Sequence, residues 1–226
     1  MMRRHTGFTL IELLIAISIL AVMTLVSWRG IDGMIRAQQQ ARAHSDEVMV
    51  VQAALAQWNT DLSAIERVAQ TKPLDWNGRV LRITRRGSDV NEQGLRVVGW
   101  TVRSIQNRDH WVRWQSPPLR SVQEWQQAWE MSATGPSTSS MLDASNSALQ
   151  QTVLMPVRNW QLLYFRGNSW SNPQSSEGNA KADPNNPTDV ALPDGVRLTL
   201  ELPAPGALSG TITQDWVSPL LGGNKS

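Results

Sequence analysis

The sequence predicts an α+β protein, one long amino-terminal helix followed by an all-β or mixed globular head, and three observations carry that expectation. Residues Phe8 to Trp28 form an apolar run of 21 residues whose only charge is Glu12. From Ser27 through Ile65 the chain is rich in Ala and Gln and contains no proline, and Val48, Val51, Leu55, Trp58, Leu62 and Ile65 step by three and four. That spacing lines one face of a helix. Past Pro73 come short runs in which β-branched and aromatic residues alternate with polar ones between Gly and Pro breakers, the pattern of strands and turns.

The apolar run comes first. At a rise of about 1.5 Å per residue it just crosses a hydrocarbon core of about 30 Å. Arg3 and Arg4 precede it, which by the positive-inside rule keeps the amino terminus in the cytoplasm. Glu12 does not belong in a plain anchor, because a carboxylate four residues into a membrane helix is expensive and usually has a partner. A cut between Gly7 and Phe8 would create an α-amino group at Phe8. In a staggered bundle of such helices, Glu12 could pair with a neighbour's amine, so that neither charge stays uncompensated in a low dielectric.

The segment Arg-Arg-His-Thr-Gly7-Phe8-Thr-Leu-Ile-Glu12-Leu-Leu-Ile-Ala resembles the prepilin-type signal of type IV pilins and type II secretion pseudopilins. The resemblance implies a leader of residues 1–7 removed by a prepilin peptidase, N-methylation of Phe8, and a role for Glu12 in filament assembly. It also implies a membrane-spanning stretch over 8–28 and a periplasmic continuation of the helix over 29–70. The apolar stripe Val48, Val51, Leu55, Trp58, Leu62 and Ile65 is expected to pack on the protein's own sheet. Asp32 and Arg36 are spaced for an i,i+4 pair, and Gly30 and Gly33 are candidates for local bending.

The head is expected over 71–226. Strands are predicted at Val80–Arg85, Leu95–Arg103, Trp111–Gln115, Thr152–Arg166, Val196–Leu202 and Thr211–Val217. Ser121-Val-Gln-Glu124 reads as a capping box and, with Trp125 and Trp129 one turn apart, predicts a short helix near 121–131. Residues 132–150 read as a surface loop and Asn168–Asp189 as a polar insertion.

Val157-Arg-Asn-Trp-Gln-Leu-Leu-Tyr-Phe, Gly167-Asn-Ser-Trp170 and Leu192-Pro-Asp-Gly-Val-Arg-Leu-Thr-Leu200 are similar to the J-type minor pseudopilins of type II secretion systems. Trp28-Arg-Gly-Ile-Asp-Gly-Met and Leu55-Ala-Gln-Trp-Asn-Thr-Asp-Leu62 add to that likeness. The family implies a type IV pilin-like fold, a long helix packed on a mainly antiparallel β head. Its implied partners are the I, K and H minor types, the major pseudopilin, the prepilin peptidase, the inner-membrane assembly platform and inner-membrane lipid. It further implies a single-pass inner-membrane protein with a periplasmic head, acting in a pseudopilus tip complex that drives export of folded proteins. A minor pilin of a type IV pilus would share the same amino terminus and stands as the alternative.

Composition excludes much else. Among 226 residues there is no cysteine, hence no disulfide, Cys-ligated metal or thiol nucleophile. His5, His44 and His110 are far apart, and there is no phosphate loop, paired-carboxylate signature or Gly-x-Ser-x-Gly elbow; no enzyme, cofactor or metal is expected. Asp183-Pro-Asn-Asn-Pro-Thr-Asp189, with Glu177, offers oxygens but lacks the EF-hand glycine and spacing. Trp100, Trp111 and Trp114 interleaved with Arg103, Arg108, Arg113 and Arg120 could stack on single-stranded nucleic acid. However, strand alternation sends Trp111 and Trp114 to opposite faces, and without Arg3 and Arg4 the 21 Lys+Arg fall to 19 against 19 Asp+Glu. No nucleic acid partner is expected from a chain so nearly neutral.

Overall fold

A computed structural model describes residues 8–87, 94–134, 151–176, 192–206 and 208–219. They fall into two compact units, the chain up to Glu47 and the chain from Val48 onward. Helix α1, Leu10–Ser63, contributes to both.

In the first unit every described residue is exposed, including Ile11, Leu14, Ile17, Leu20 and Val26. An apolar surface of this length has no partner within its own unit, and α1 is the one helix among the described residues long and apolar enough to cross a membrane. Two hydroxyls of the apolar stretch are satisfied internally: Ser18 Oγ donates to the Leu14 carbonyl and Thr24 Oγ1 to that of Leu20, each at 2.8 Å. Such back-bonding hides a polar group from lipid. The helix runs unbroken through Gly30 and Gly33, and Arg36 pairs with Asp32 at 2.8 Å.

The second unit holds two antiparallel sheets. The first has the order β1 (Leu74–Trp76), β2 (Val80–Arg86), β3 (Leu95–Ile105), β4 (Arg108–Gln115), β5 (Gln151–Pro156). The second has the order β7 (Ser169–Ser171), β6 (Asn159–Arg166), β8 (Gly195–Leu202), β9 (Gly210–Val217). Helix α2 spans Val122–Thr134 and a one-turn helix α3 spans Pro173–Ser176. Together these give the α+β pilin-like fold.

The first sheet is covered on both faces. Leu81, Ile83, Val98, Trp100 and Trp111 join the α1 residues Val51, Ala54, Trp58 and Leu62 in one core, while Val97 and Trp114 on the other face meet Trp125, Ala128 and Trp129 of α2. Gly99 permits that second contact, since a Cβ there would lie 3.3 Å from the Ser132 Cβ. The second sheet is covered on one face. Val196, Leu198, Leu200 and Leu202 alternate with half-buried Arg197, Thr199 and Glu201 along β8 and point into the same core as α1.

Three expectations need correction. The predicted helical stretch to Ile65, and the longer continuation to residue 70, stops at Ser63. Beyond it the backbone is captured by β2: Glu66 N donates to Thr84 O at 2.9 Å, Arg86 N to Ala64 O at 3.2 Å, and Ile65 bridges to Arg85. The single strand expected over Thr152–Arg166 is two, β5 and β6, in different sheets. Pro156 has no N–H with which to extend a ladder, and the handover is abrupt, Val157 N donating to Asp109 O in the first sheet and Arg158 N to Glu201 O in the second. Finally, residues 168–176 of the polar insertion hold β7 and α3. Residues 135–150 and 177–191, including Glu177 and Asp183–Asp189, lie outside the described residues.

Candidate assembly site

Phe8 and Thr9 precede α1, and Phe8 is 84% exposed; Gly7 lies outside the described residues. Thr-x-x-Glu before an apolar run is a capping-box sequence, and the structure forms it. Glu12 Oε2 accepts from Thr9 N at 3.0 Å and from Thr9 Oγ1 at 2.8 Å, while Glu12 N approaches Thr9 Oγ1 at 3.4 Å. One carboxylate oxygen therefore satisfies the helix start, where the positive end of the helix dipole also favours an anion. The other, Oε1, has no partner among the described residues and remains open to a cation from outside the chain.

The stripe residues of α1 are placed as follows. Val51, Trp58 and Leu62 are buried in the main core, Leu55 and Ile65 pack against it, and Val48 is half-buried. Trp58 meets Trp100 edge-on at 5.3 Å and Trp111 at 5.7 Å, with Trp100 and Trp111 4.4 Å apart. The Nε1–H groups of Trp58 and Trp111 have no acceptor among the described residues. That costs about 1–3 kcal/mol each, less than the roughly 3–5 kcal/mol a buried indole contributes through packing.

Sequence reasoning missed the residue that fastens α1 to the first sheet. Asp61, fully buried, accepts from Trp100 Nε1 at 2.9 Å, from Arg113 Nε at 2.7 Å and Nη2 at 3.0 Å, from Gln57 Nε2 at 3.0 Å, and from Arg85 Nη1. The signal was legible: a carboxylate three residues after Trp58 and beside Leu62 falls on the buried face, where it requires cationic or N–H partners. Two residues further on, Ser63 Oγ accepts from Trp216 Nε1 at 3.0 Å, so the last turn of α1 is tied to both sheets. Thr9 was the other omission.

The Trp and Arg interleaving of β3 and β4 forms no stacking platform. Trp100, Trp111 and Trp114 are buried and Arg113 is bound to Asp61, leaving Arg108 and Arg120 exposed. Among the described residues no group of three His, Cys, Asp or Glu could hold a metal.

Residues 2–28 match the family model described as the prokaryotic N-terminal methylation motif. That motif, the helix it opens, long and apolar enough to cross a membrane, and the antiparallel sheets together fit an α+β pilin-like fold. The chain is also similar to type II secretion system protein J of Klebsiella pneumoniae, 30% identical over 102 residues, which make up 44% of this chain and 50% of the relative. The chain thus spans about half the length of the curated relative it matches. The motif and this relative together support a J-type pseudopilin.

Proposed function

We propose that the chain is a minor pseudopilin of a type II secretion system that joins other minor pseudopilins at the tip of the pseudopilus and so promotes export of folded proteins across the outer membrane. In this reading a prepilin peptidase cuts between Gly7 and Phe8 and methylates the Phe8 amine. Residues 8–28 cross the inner membrane, the helix continues to Ser63, and the head lies in the periplasm. The protein performs no catalysis. Its contribution is helix packing, charge pairing and head surface, with the stripe from Val48 to Ile65 holding the helix to the head. Partners are the I, K and H types, the major pseudopilin and the assembly platform.

The observation that carries this reading is Glu12 in the first turn of an exposed apolar helix, inside the matched motif. Its Oε1 is free among the described residues to meet the amine of a neighbouring Phe8, an attraction that strengthens as water is excluded. Glu12→Ala should leave processing intact, seen as an amino terminus at Phe8 by mass spectrometry, and should abolish secretion of the exoprotein. Normal secretion in that variant would sink the assembly role, and a retained Met1 in cells with active peptidase would sink the processing. Gene neighbours encoding pilus components in place of a secretion ATPase would favour the type IV pilus alternative.

A further inference from the structure

Every guanidinium of the head that is buried or half-buried has an identifiable partner, with one exception. Arg85 and Arg113 share Asp61, Arg82 pairs with Asp75, Arg197 with Asp215, Arg96 donates to the Ser116 carbonyl, and Arg166 lies over Tyr164. Arg103, near the end of β3 and half-buried, has no hydrogen bond or ion pair among the described residues. Burial lowers its pKa, and no carboxylate raises it again. Leaving a guanidinium partly dehydrated without an anion is unfavourable, and a solvated surface arginine would avoid it by extending into water.

The environment says what could compensate it. Arg103 lines a cleft of about 520 Å³ together with Arg79 of the β1–β2 turn, Gly78, Thr101, Ala133 and Trp160. The Arg79 side chain is exposed and also without a partner among the described residues. Two arginines without an anionic partner among the described residues therefore line one cleft. The carbonyl end of α2 reaches the cleft at Ala133, but a helix end supplies only about half a negative charge, which leaves most of the positive charge unmatched. Trp160 adds an apolar ring to the lining of the same cleft.

We propose that this cleft receives an acidic side chain of a neighbouring pseudopilin, its carboxylate taken by the Arg79 and Arg103 guanidinia and its stem laid against Trp160. A planar guanidinium fork matches a carboxylate in two hydrogen bonds. A polyanion is the poorer fit, since 19 positive and 19 negative side chains outside Arg3 and Arg4 provide no extended basic field for a phosphate backbone. The proposal rests on the pseudopilin reading above and specifies how the head would recognise its partner.

The test uses the full chain, tagged and extracted in detergent from secreting cells, with recovery of the other pseudopilins quantified by immunoblot. The Arg79→Gln, Arg103→Met double variant should recover about tenfold less of them, the loss expected of charge-assisted hydrogen bonds, while its melting temperature stays equal to wild type or rises. An acid-to-lysine change on the partner that restores recovery by an Arg103→Glu chain would identify the carboxylate. Undiminished recovery by the double variant would overturn the cleft assignment alone. So would a melting temperature that falls in step with recovery, since Arg103 would then be serving the fold. If the wild-type chain recovers no pseudopilin, the functional reading fails and the cleft proposal with it.

Discussion

At the scale of the residue, the buried carboxylate of Asp61 dominates. It neutralises parts of two guanidinia and an indole N–H at once, so its removal strands Arg85 and Arg113 facing the same site. Asp61→Asn is expected to cost about 3–5 kcal/mol, the penalty for breaking one side of a buried ion pair. A thermal melt of the detergent-solubilised chain should show a drop of roughly 10 °C, and an unchanged melt would remove Asp61 from its central place. Asp215 behaves differently because it is solvent-accessible. Hydrogen bonds from Arg197 at 2.7 and 2.6 Å hold its carboxyl below the ordinary value of 3.8. A depressed folded pKa gives stabilisation that is present above the unfolded value and is lost as pH falls through the folded one. Asp215→Asn should therefore make the melting temperature less dependent on pH below about 4 and leave its slope near neutrality unchanged; a profile identical to wild type at acid pH would contradict the pair's contribution.

At the scale of the element, α2 and the first sheet meet so closely that the side chain at position 99 decides the fit. Gly99→Val would drive its methyls into Ser132 and the Val80 side chain, whose nearest atoms already lie 3.3–3.5 Å from an added Cβ. A loss of about 1–3 kcal/mol is expected from such overpacking, measurable as a lower denaturation midpoint with Trp125 fluorescence released early. A midpoint equal to wild type would mean α2 can lift off the sheet freely. The elements most legible in the sequence were those with strong local codes. Thr211–Val217 and Val196–Leu202 read as strands because alternation on a sheet covered on one face leaves a period of two, and α2 was announced by Ser121 and Glu124, whose Oγ and Oε2 engage the Glu124 and Arg120 amides at 3.2 and 2.7 Å. What escaped had non-local causes. The β3–β4 turn uses Gln106 and Asn107, both at positive φ, without the Asn-Gly code of such hairpins; β1 and β7 have three residues each, too short for any period to show. The end of α1 at Ser63 depends on capture by β2, a strand some twenty residues away, which no local propensity records.

For the whole molecule, the exposed apolar half of α1 and the head pose separate physical problems. The first needs lipid or sister helices: burial within its own unit covers none of Leu10 to Val26. Ile19→Asp, in the middle of the span, should cost about 2.5–3.5 kcal/mol of insertion and shift part of the chain into the alkaline-carbonate extract of membranes; full retention in the pellet would argue against a spanning segment at these residues. The head solves its own problem with one core shared by two sheets, and Phe8 and Glu12 were legible in the sequence as a candidate assembly site because a lone carboxylate in an apolar run is costly enough to demand a reason. The partner surface was not, since it depends on which arginines the fold leaves uncompensated. The ties at Asp61 and Ser63 have a mechanical consequence. A load carried along the end of α1 enters the first sheet through Arg85, Arg113 and Trp100 and the second through Trp216, so that neither sheet can be peeled from the helix while the other holds. The end of a helix fastened to two sheets in this way comes free only when both fastenings break.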